Sequence, residues 1–292
     1  MVLDSATPAN RGRMTGFYQL SYMLGLTISP IVGGTLTDTL GFRPAVFACA
    51  ALTAAGLAIA WLFLPETRRN PAPATAPPHM RLPSPAALIR AARHLHPQAA
   101  IAALIYLSIF FVSNGVLMST ISLYLARRWG STVAVAGLTV GVSSLAGVML
   151  ASRAALGILA GPAAGIVSDR LGTRWPVALV AIAMAAAGFA ILALPGTVWL
   201  AFAGVALVAS GAGALITAIA ALTGDLAAGS RPGAAMGALA TAGDVGSAAG
   251  PLVAYALATH IELPSIYLGC AALLGCVCAA ALAASRREGK RI

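Results

Sequence analysis

The sequence predicts an all-α, polytopic membrane protein: a bundle of eight transmembrane helices. Of the 292 residues, 59% are hydrophobic and only 9% are charged, and the mean hydropathy is +0.89. A water-soluble domain of this length could not bury so much apolar surface in one core. The chain also contains eight apolar stretches of at least the ~20 residues that a helix needs to cross ~30 Å of hydrocarbon.

The eight predicted spans are separated by connections that contain charged residues, proline or glycine. Helices are favoured because, in lipid, a helix satisfies its own backbone hydrogen bonds. The predicted spans cover residues 14–37, 44–64, 99–126, 134–167, 176–194, 198–222, 233–258 and 264–284.

The basic residues sort to one side of the predicted membrane. With the N-terminus inside, fourteen arginines and lysines fall in cytoplasmic connections, and only Arg43, Arg127 and Arg128 fall in outer loops. This is the bias of the positive-inside rule. It predicts a multi-pass protein of the cell membrane with both termini in the cytoplasm. The same distribution places most of the net charge of +10 in cytoplasmic connections beside the lipid bilayer. No nucleic-acid partner is therefore expected.

A repeat with an offset of 221 residues links the two ends of the chain. Its register pairs Asp4, Gly12, Gly16, Gly25 and Pro30 with Asp225, Gly233, Gly237, Gly246 and Pro251. Chance similarity in a chain rich in alanine and glycine is the alternative to duplication. Duplication makes the first two spans equivalent to the last two, and it implies a design of six spans plus six.

Three regions follow from the repeat. Residues 1–66 are predicted to be the last two helices of an N-terminal half that lacks four spans. Residues 67–98 form a cytoplasmic linker rich in proline and arginine, with a short surface helix expected over 84–94. Residues 99–292 form a six-helix C-terminal half.

The first span carries a spaced set of small residues and a proline. Gly25, Ser29 and Gly33 recur every four residues, which lets a neighbouring helix approach closely, and Pro30 can kink the helix. Ordinary small-residue packing is one explanation. The full helix-packing pattern resembles the fifth-helix motif of the major facilitator superfamily, in its branch of proton-coupled drug antiporters, although Ser29 stands where that branch has glycine. The pattern comprises Gly16, Gly25, Ser29, Pro30, Gly33 and Gly34.

A second pattern lies between the fourth and fifth spans and resembles the signature loop of the same superfamily. The resemblance implies a gate, in which Asp169 accepts hydrogen bonds from a helix N-terminus in the other half and Arg170 bridges to it. A simple positively charged membrane anchor is the alternative. A fainter form of this loop, with Gly34, Asp38, Gly41 and Arg43, follows the first span, and we assign it no role. The predicted gating residues are Gly165, Asp169, Arg170, Gly172 and Arg174.

Two charged residues fall inside predicted spans, where a charge is costly and faces a cavity or a partner. Arg153 lies on the same face as Gly157, Gly161 and Gly165. Asp244 could carry a proton, or the two charges could form structural ion pairs. Tyrosine and amide groups in the first and third spans suit an amphipathic or cationic ligand, although interfacial tyrosines and hydrogen bonds between helices explain them equally well. The candidate substrate-binding residues are Tyr18, Gln19, Tyr22, Asn114, Arg153 and Asp244.

The resemblance implies a secondary active transporter that works by alternating access. It further implies proton-coupled efflux of a small hydrophobic or amphipathic compound, so the expected partners are that compound, protons and lipid. A non-transporting remnant and a polytopic membrane enzyme are the alternatives. An enzyme would require clustered polar residues at one membrane face, which the sequence lacks. Neither a metal site nor a cofactor is expected, because the four cysteines lie in spans without ligand spacing.

Overall fold

The structure is a computed structural model that describes residues 11–63, 97–135, 137–227 and 232–288. The linker, its predicted surface helix and the first ten residues lie outside these ranges. Helices account for nearly all of the described chain. They are α1 (Arg11–Leu40), α2 (Phe42–Phe63), α3 (Pro97–Ile109), a π-helix (Phe110–Leu117), α4 (Met118–Trp129), α5 (Val142–Leu171), α6 (Trp175–Ala193), α7 (Val198–Ala227), α8 (Pro232–Leu257) and α9 (Leu263–Glu288).

The structure confirms the predicted all-α bundle of long apolar helices. Because α3, the π-helix and α4 run on as one segment, the described chain contains eight long helical segments. Seven of them are long and apolar enough to cross a membrane. The eighth predicted span is α8, which has 26 residues. It is long enough to span, but Asp244 and several glycines lower its hydropathy.

The predicted span 134–167 begins too early. Residues 132–135 and 138–141 form two short antiparallel strands, β1 and β2, in which Thr132 is paired with Gly141 and Val135 with Leu138. Gly137 lies in the turn at φ +83°, a backbone conformation that favours glycine. Valine and threonine favour extended structure, so hydropathy alone placed these residues in the following helix. The helix α5 begins at Val142.

Helices α3–α9 and the π-helix, which we call the second half, pack as one unit around a buried core. Helices α6 and α7 approach closely because small residues face each other. A Cβ atom on Gly188 would lie 2.7 Å from the backbone nitrogen of Val208, and one on Gly211 would lie 2.8 Å from that of Ala185. Tyr267 of α9 is fully buried, and its hydroxyl shares a 2.9 Å hydrogen bond with Thr120 of α4.

Helix α1 packs against α5 and thereby joins the first part of the chain to the second. A Cβ atom on Gly147 would overlap the carbonyl of Pro30, and one on Gly34 would overlap that of Ser143. The glycines therefore let two backbones touch. Helix α2 follows α1 and is exposed along nearly its whole length.

Of the predicted helix-packing motif of α1, Pro30 and Gly34 make the contact with α5, and the predicted face of Gly25, Ser29 and Gly33 does not. The predicted contact face was Gly25, Ser29 and Gly33, but a Cβ atom on Gly25 or Gly33 would meet nothing within 4 Å, and Ser29 is exposed. The contact is made instead by Pro30 and Gly34, each one residue further along. One residue rotates the face by about 100°. Gly16 lies near the start of α1.

Candidate functional site

A cavity of about 930 Å³ lies between α1 and the helices of the second half. Its walls come from α1, the π-helix, α4, α5, α7 and α8, so both parts of the chain contribute to it. Most of the lining is apolar or small, with a few polar groups. The lining residues are Tyr22, Met23, Leu26, Asn114, Met118, Arg153, Ala154, Gly157, Ile158, Gly161, Pro162, Ala209, Ala212, Gly213, Ile216, Thr217 and Ser247.

Arg153 of α5 carries the only charge among the lining residues. Its Nη2 atom donates to the hydroxyl of Ser113 at 2.9 Å and to the amide oxygen of Asn114. The Nε atom is buried and has no hydrogen-bond partner among the described residues. Both ion pairs in the described part of the chain belong to Arg174, so Arg153 has neutral partners only.

The π-helix positions both neutral partners of Arg153. Ser113 and Asn114 are adjacent in its eight residues, and the wider π turn presents them to α5 together. Such turns are frequent at functional sites. On its other side the π-helix lies against α8. A Cβ atom on Gly115 would be 2.6 Å from the Cα of Gly250, so close glycine packing fixes the position of this turn.

The glycines that follow Arg153 along α5 pack against α7. Gly157, one turn further along α5, lies against α7, where a Cβ atom on Gly213 would be 2.8 Å from the Cα of Gly157. Gly161 lies near Thr217, whose hydroxyl would be 2.8 Å from an added Cβ atom. The predicted glycine face therefore lies against protein, as expected.

The structure brings together three of the six predicted substrate-binding residues. Tyr22, Asn114 and Arg153 line the cavity. Tyr18 is exposed one turn before Tyr22 and is not part of the lining, and the side chain of Gln19 lies outside the described part of the chain.

Asp244 does not lie where the sequence suggested. Its side chain is exposed and is absent from the cavity lining, whereas Ser247 of the same helix lines the cavity. The neighbouring Gly243 packs on the ring of Tyr106, with an added Cβ atom 2.9 Å from it. Asp244 therefore lies outside the cavity, and Ser247, about one turn further along α8, contributes to the lining.

At one end of the bundle, a carboxylate from α1 caps α5. Asp38 accepts hydrogen bonds from the backbone N–H groups of Ser143 at 3.3 Å and Ser144 at 2.6 Å. The residue that precedes α5, Gly141, provides no side-chain cap, and a Cβ atom there would overlap the Asp38 carboxylate. Asp38 thus takes the place of an N-cap residue, but from another helix. We call this contact the Asp38 cap.

At the other end of α5, charged residues form a cluster within the second half. Arg174 donates from Nε to Asp225 at 3.0 Å, and from Nη1 to Ser168 at 3.0 Å and to Asp169. Hydrogen bonds to Asp169 and Asp225 raise the pKa of Arg174, so it stays charged at physiological pH. We call these four residues the Arg174 cluster.

The Arg174 cluster corrects the predicted partners of Asp169. The sequence placed Arg170 against Asp169 and a helix of the other half beyond it. Arg170 is instead exposed, and Asp169 pairs with Arg174. Helix α5 continues to Leu171 and ends at Gly172 with φ +64°. The chain therefore reverses there and brings Arg174 back to Asp169. Gly165 lies two turns before this end, close to Thr217.

Sequence reasoning missed the roles of Asp38, Ser113 and Ser247. Asp38 belongs to the fainter copy of the signature loop that includes Gly34. Nothing in the first span, however, indicates which helix N-terminus the Asp38 carboxylate contacts. Ser113 adjoins Asn114 in the third span, but the sequence did not show that both contact Arg153. Among the described residues, no group of three or more His, Cys, Asp or Glu could hold a metal ion.

Comparison with known sequences gives one family. A profile of the Major Facilitator Superfamily matches residues 1–157 and residues 109–291. Together the two matched stretches cover nearly the whole chain. No curated protein matches the chain.

Proposed function

Because the chain belongs to the Major Facilitator Superfamily, and is thus a membrane transporter, we propose that it is a proton-coupled efflux protein for a small amphipathic compound. It works as a secondary active transporter in the cell membrane, with both termini in the cytoplasm. The observation that carries this proposal is the cavity of about 930 Å³ between α1 and the second half. A cavity of this size accommodates a drug-sized molecule.

Alternating access requires the contacts at the two ends of the cavity to break in turn. The Asp38 cap joins α1 to α5 at the end that we predict to be outer. In the proposed cycle the cap holds this end closed while the cavity is loaded from the opposite end, and it breaks when the compound leaves. Hydrogen bonds to one exposed carboxylate are weak enough for such a cycle.

Proton coupling is assigned to Asp244. The other aspartates of the described residues, Asp38, Asp169 and Asp225, lie near helix ends, whereas Asp244 lies in the middle of α8. An ionisable residue in the middle of a membrane-spanning helix is a candidate functional residue, and this position is the reason for the assignment. Because Asp244 lies outside the cavity lining, the proton and the compound occupy separate places on α8.

The test uses the full chain in proteoliposomes with a pH-sensitive dye inside. Two labelled probes of similar shape, 2-naphthoate and 2-naphthylmethylamine, report transport in the presence and absence of an imposed pH gradient. We expect the gradient to accelerate net transport of at least one probe. Asp244→Asn should abolish this acceleration yet retain probe exchange, since a neutral amide cannot release a proton.

The matched control is Glu262→Gln, which also neutralises an exposed carboxylate but lies between α8 and α9. It should behave as the unchanged protein. Equal transport with and without the gradient would remove proton coupling from the proposal. Normal coupling in Asp244→Asn would remove Asp244 from that role.

A further inference from the structure

Among the described residues, no carboxylate compensates the charge of Arg153. Its two described partners, Ser113 and Asn114, are neutral, and no lining residue of the cavity is acidic. A cationic side chain at this depth of a helical bundle is expensive unless an anion neutralises it. The structure therefore contains a positive charge that faces an empty space of ligand size.

The guanidinium also retains free donors. Both described hydrogen bonds use Nη2. Nε is buried without a described partner, and Nη1 makes no hydrogen bond to a described residue. Leaving the buried Nε donor unpaired costs free energy, whereas a carboxylate, sulfonate or phosphate offers acceptor oxygens and charge together.

The rest of the cavity suits an apolar body. Met23, Leu26, Met118, Ile158 and Ile216 line it, and methionine adapts to ligands of different shape. An organic cation would meet the like charge of Arg153 and find no carboxylate in the lining. An apolar molecule with no acidic group would leave the arginine uncompensated.

We propose that the transported compound is an amphipathic organic anion whose acidic group binds Arg153 while its apolar body fills the methionine-lined part of the cavity. This inference rests on the proposed transport function and narrows its substrate class. Ser113 and Asn114 hold the guanidinium in place from one side, so the anion approaches from the cavity. Arg153 is thus the residue that selects the sign of charge.

The experiment measures equilibrium binding of labelled 2-naphthoate to the purified full chain in a non-ionic detergent. Neutral 2-naphthamide and cationic 2-naphthylmethylamine compete as molecules of similar shape. We expect saturable binding of 2-naphthoate, weak competition by the amide and almost none by the amine. Arg153→Gln should weaken binding by roughly 30-fold, in line with the loss of a charge-assisted contact.

Two further variants separate binding from folding. Arg153→Lys keeps the charge and should retain most of the affinity. Arg128→Gln removes a positive charge that bonds Tyr124 and the carbonyl of Leu194 away from the cavity, and it should leave 2-naphthoate binding unchanged. Melting temperatures of all variants report whether each is folded.

Three results would overturn the proposal: no saturable binding of 2-naphthoate, equal competition by the amine, or unchanged affinity in folded Arg153→Gln. Transport is scored separately in proteoliposomes. Movement of the amine without movement of 2-naphthoate would refute the anion but leave the transport function standing. Binding of 2-naphthoate through Arg153 without any transport would support the anion site but refute the transport function.

Discussion

Aspartate carboxylates form hydrogen bonds at both ends of α5, but they connect different parts of the chain. At its N-terminus, the Asp38 cap brings a carboxylate from α1, more than one hundred residues away in sequence, onto the backbone of Ser143 and Ser144. At its C-terminus, the Arg174 cluster joins Asp169 and Asp225 within the second half. The thirty residues of α5 separate these ends by about 45 Å.

The difference shows where the first part of the chain is held. Among the described residues, the hydrogen bonds of the Asp38 cap cross from α1 to α5, whereas those of the Arg174 cluster stay between α5, α7 and the connection before α6. Among the described residues, the N-terminus of α5 is therefore bonded to α1, and its C-terminus is bonded only to elements of the second half.

The largest expected effect is at the glycine contact beside the Asp38 cap. Gly147→Leu would force a side chain into the carbonyl of Pro30, and α1 would have to move away from α5. We expect a loss of about 3 kcal/mol in stability, as for severe overpacking. Melting temperature measures the loss, and a longer distance between spin labels on Thr39→Cys and Ser131→Cys measures the separation.

The matched control for this contact is Gly25→Leu. An added Cβ atom at Gly25 meets nothing within 4 Å, so the same substitution should cost less than about 0.5 kcal/mol. Equal losses in the two variants would mean that the α1–α5 contact is not what holds this end.

A smaller effect is expected from the Asp38 cap itself. Asp38→Ala should cost about 1–2 kcal/mol, the usual range for a lost N-cap, and should lengthen the distance between the labels at residues 39 and 131. The stability of Asp38→Asn should lie between those of the unchanged protein and Asp38→Ala, because the amide keeps one acceptor oxygen.

Thr39→Ala is the control for the cap, since the Thr39 hydroxyl bonds only within its own helix, to the carbonyls of Thr35 and Leu36. That variant is measured by melting temperature alone. If it destabilised the protein as much as Asp38→Ala does, the cap would have no special role.

The smallest effect is expected at the Arg174 cluster. Arg174→Gln should cost less than about 1 kcal/mol, because Asp169 and Asp225 are exposed and water screens such pairs. The distance between the labels at residues 39 and 131 should not change. The raised pKa of Arg174 keeps it charged, so its contribution should persist through neutral pH and fall with added salt.

Arg170→Gln provides the comparison, since Arg170 is exposed and has no ion pair among the described residues. It should leave stability unchanged. A longer distance between the labels at residues 39 and 131 in Arg174→Gln would contradict the view that the Arg174 cluster stabilises contacts within the second half only.

The candidate cavity was partly predictable from particular residues. Arg153 and Asn114 are polar groups inside apolar spans, and such groups face protein or water. Both line the cavity. Asp244 satisfies the same rule yet lies outside the lining, because a helix carries side chains on all sides and the sequence does not fix its rotation. The Pro30 and Gly34 contact shows the same limit in α1.

The sequence by itself determined the long apolar helices, because hydropathy adds up along each segment and needs no knowledge of neighbours, and it determined the family through its motifs. Tertiary structure alone decided that Asp38 caps α5, that Arg174 replaces Arg170 as the partner of Asp169, and that residues 132–141 pair as strands. Each of these depends on the rotation of a helix or the reversal of the chain after a glycine. The Asp38 cap joins residues more than one hundred positions apart. The other two relations are local, but they depend on the chain reversals at Gly172 and Gly137, which hydropathy does not register.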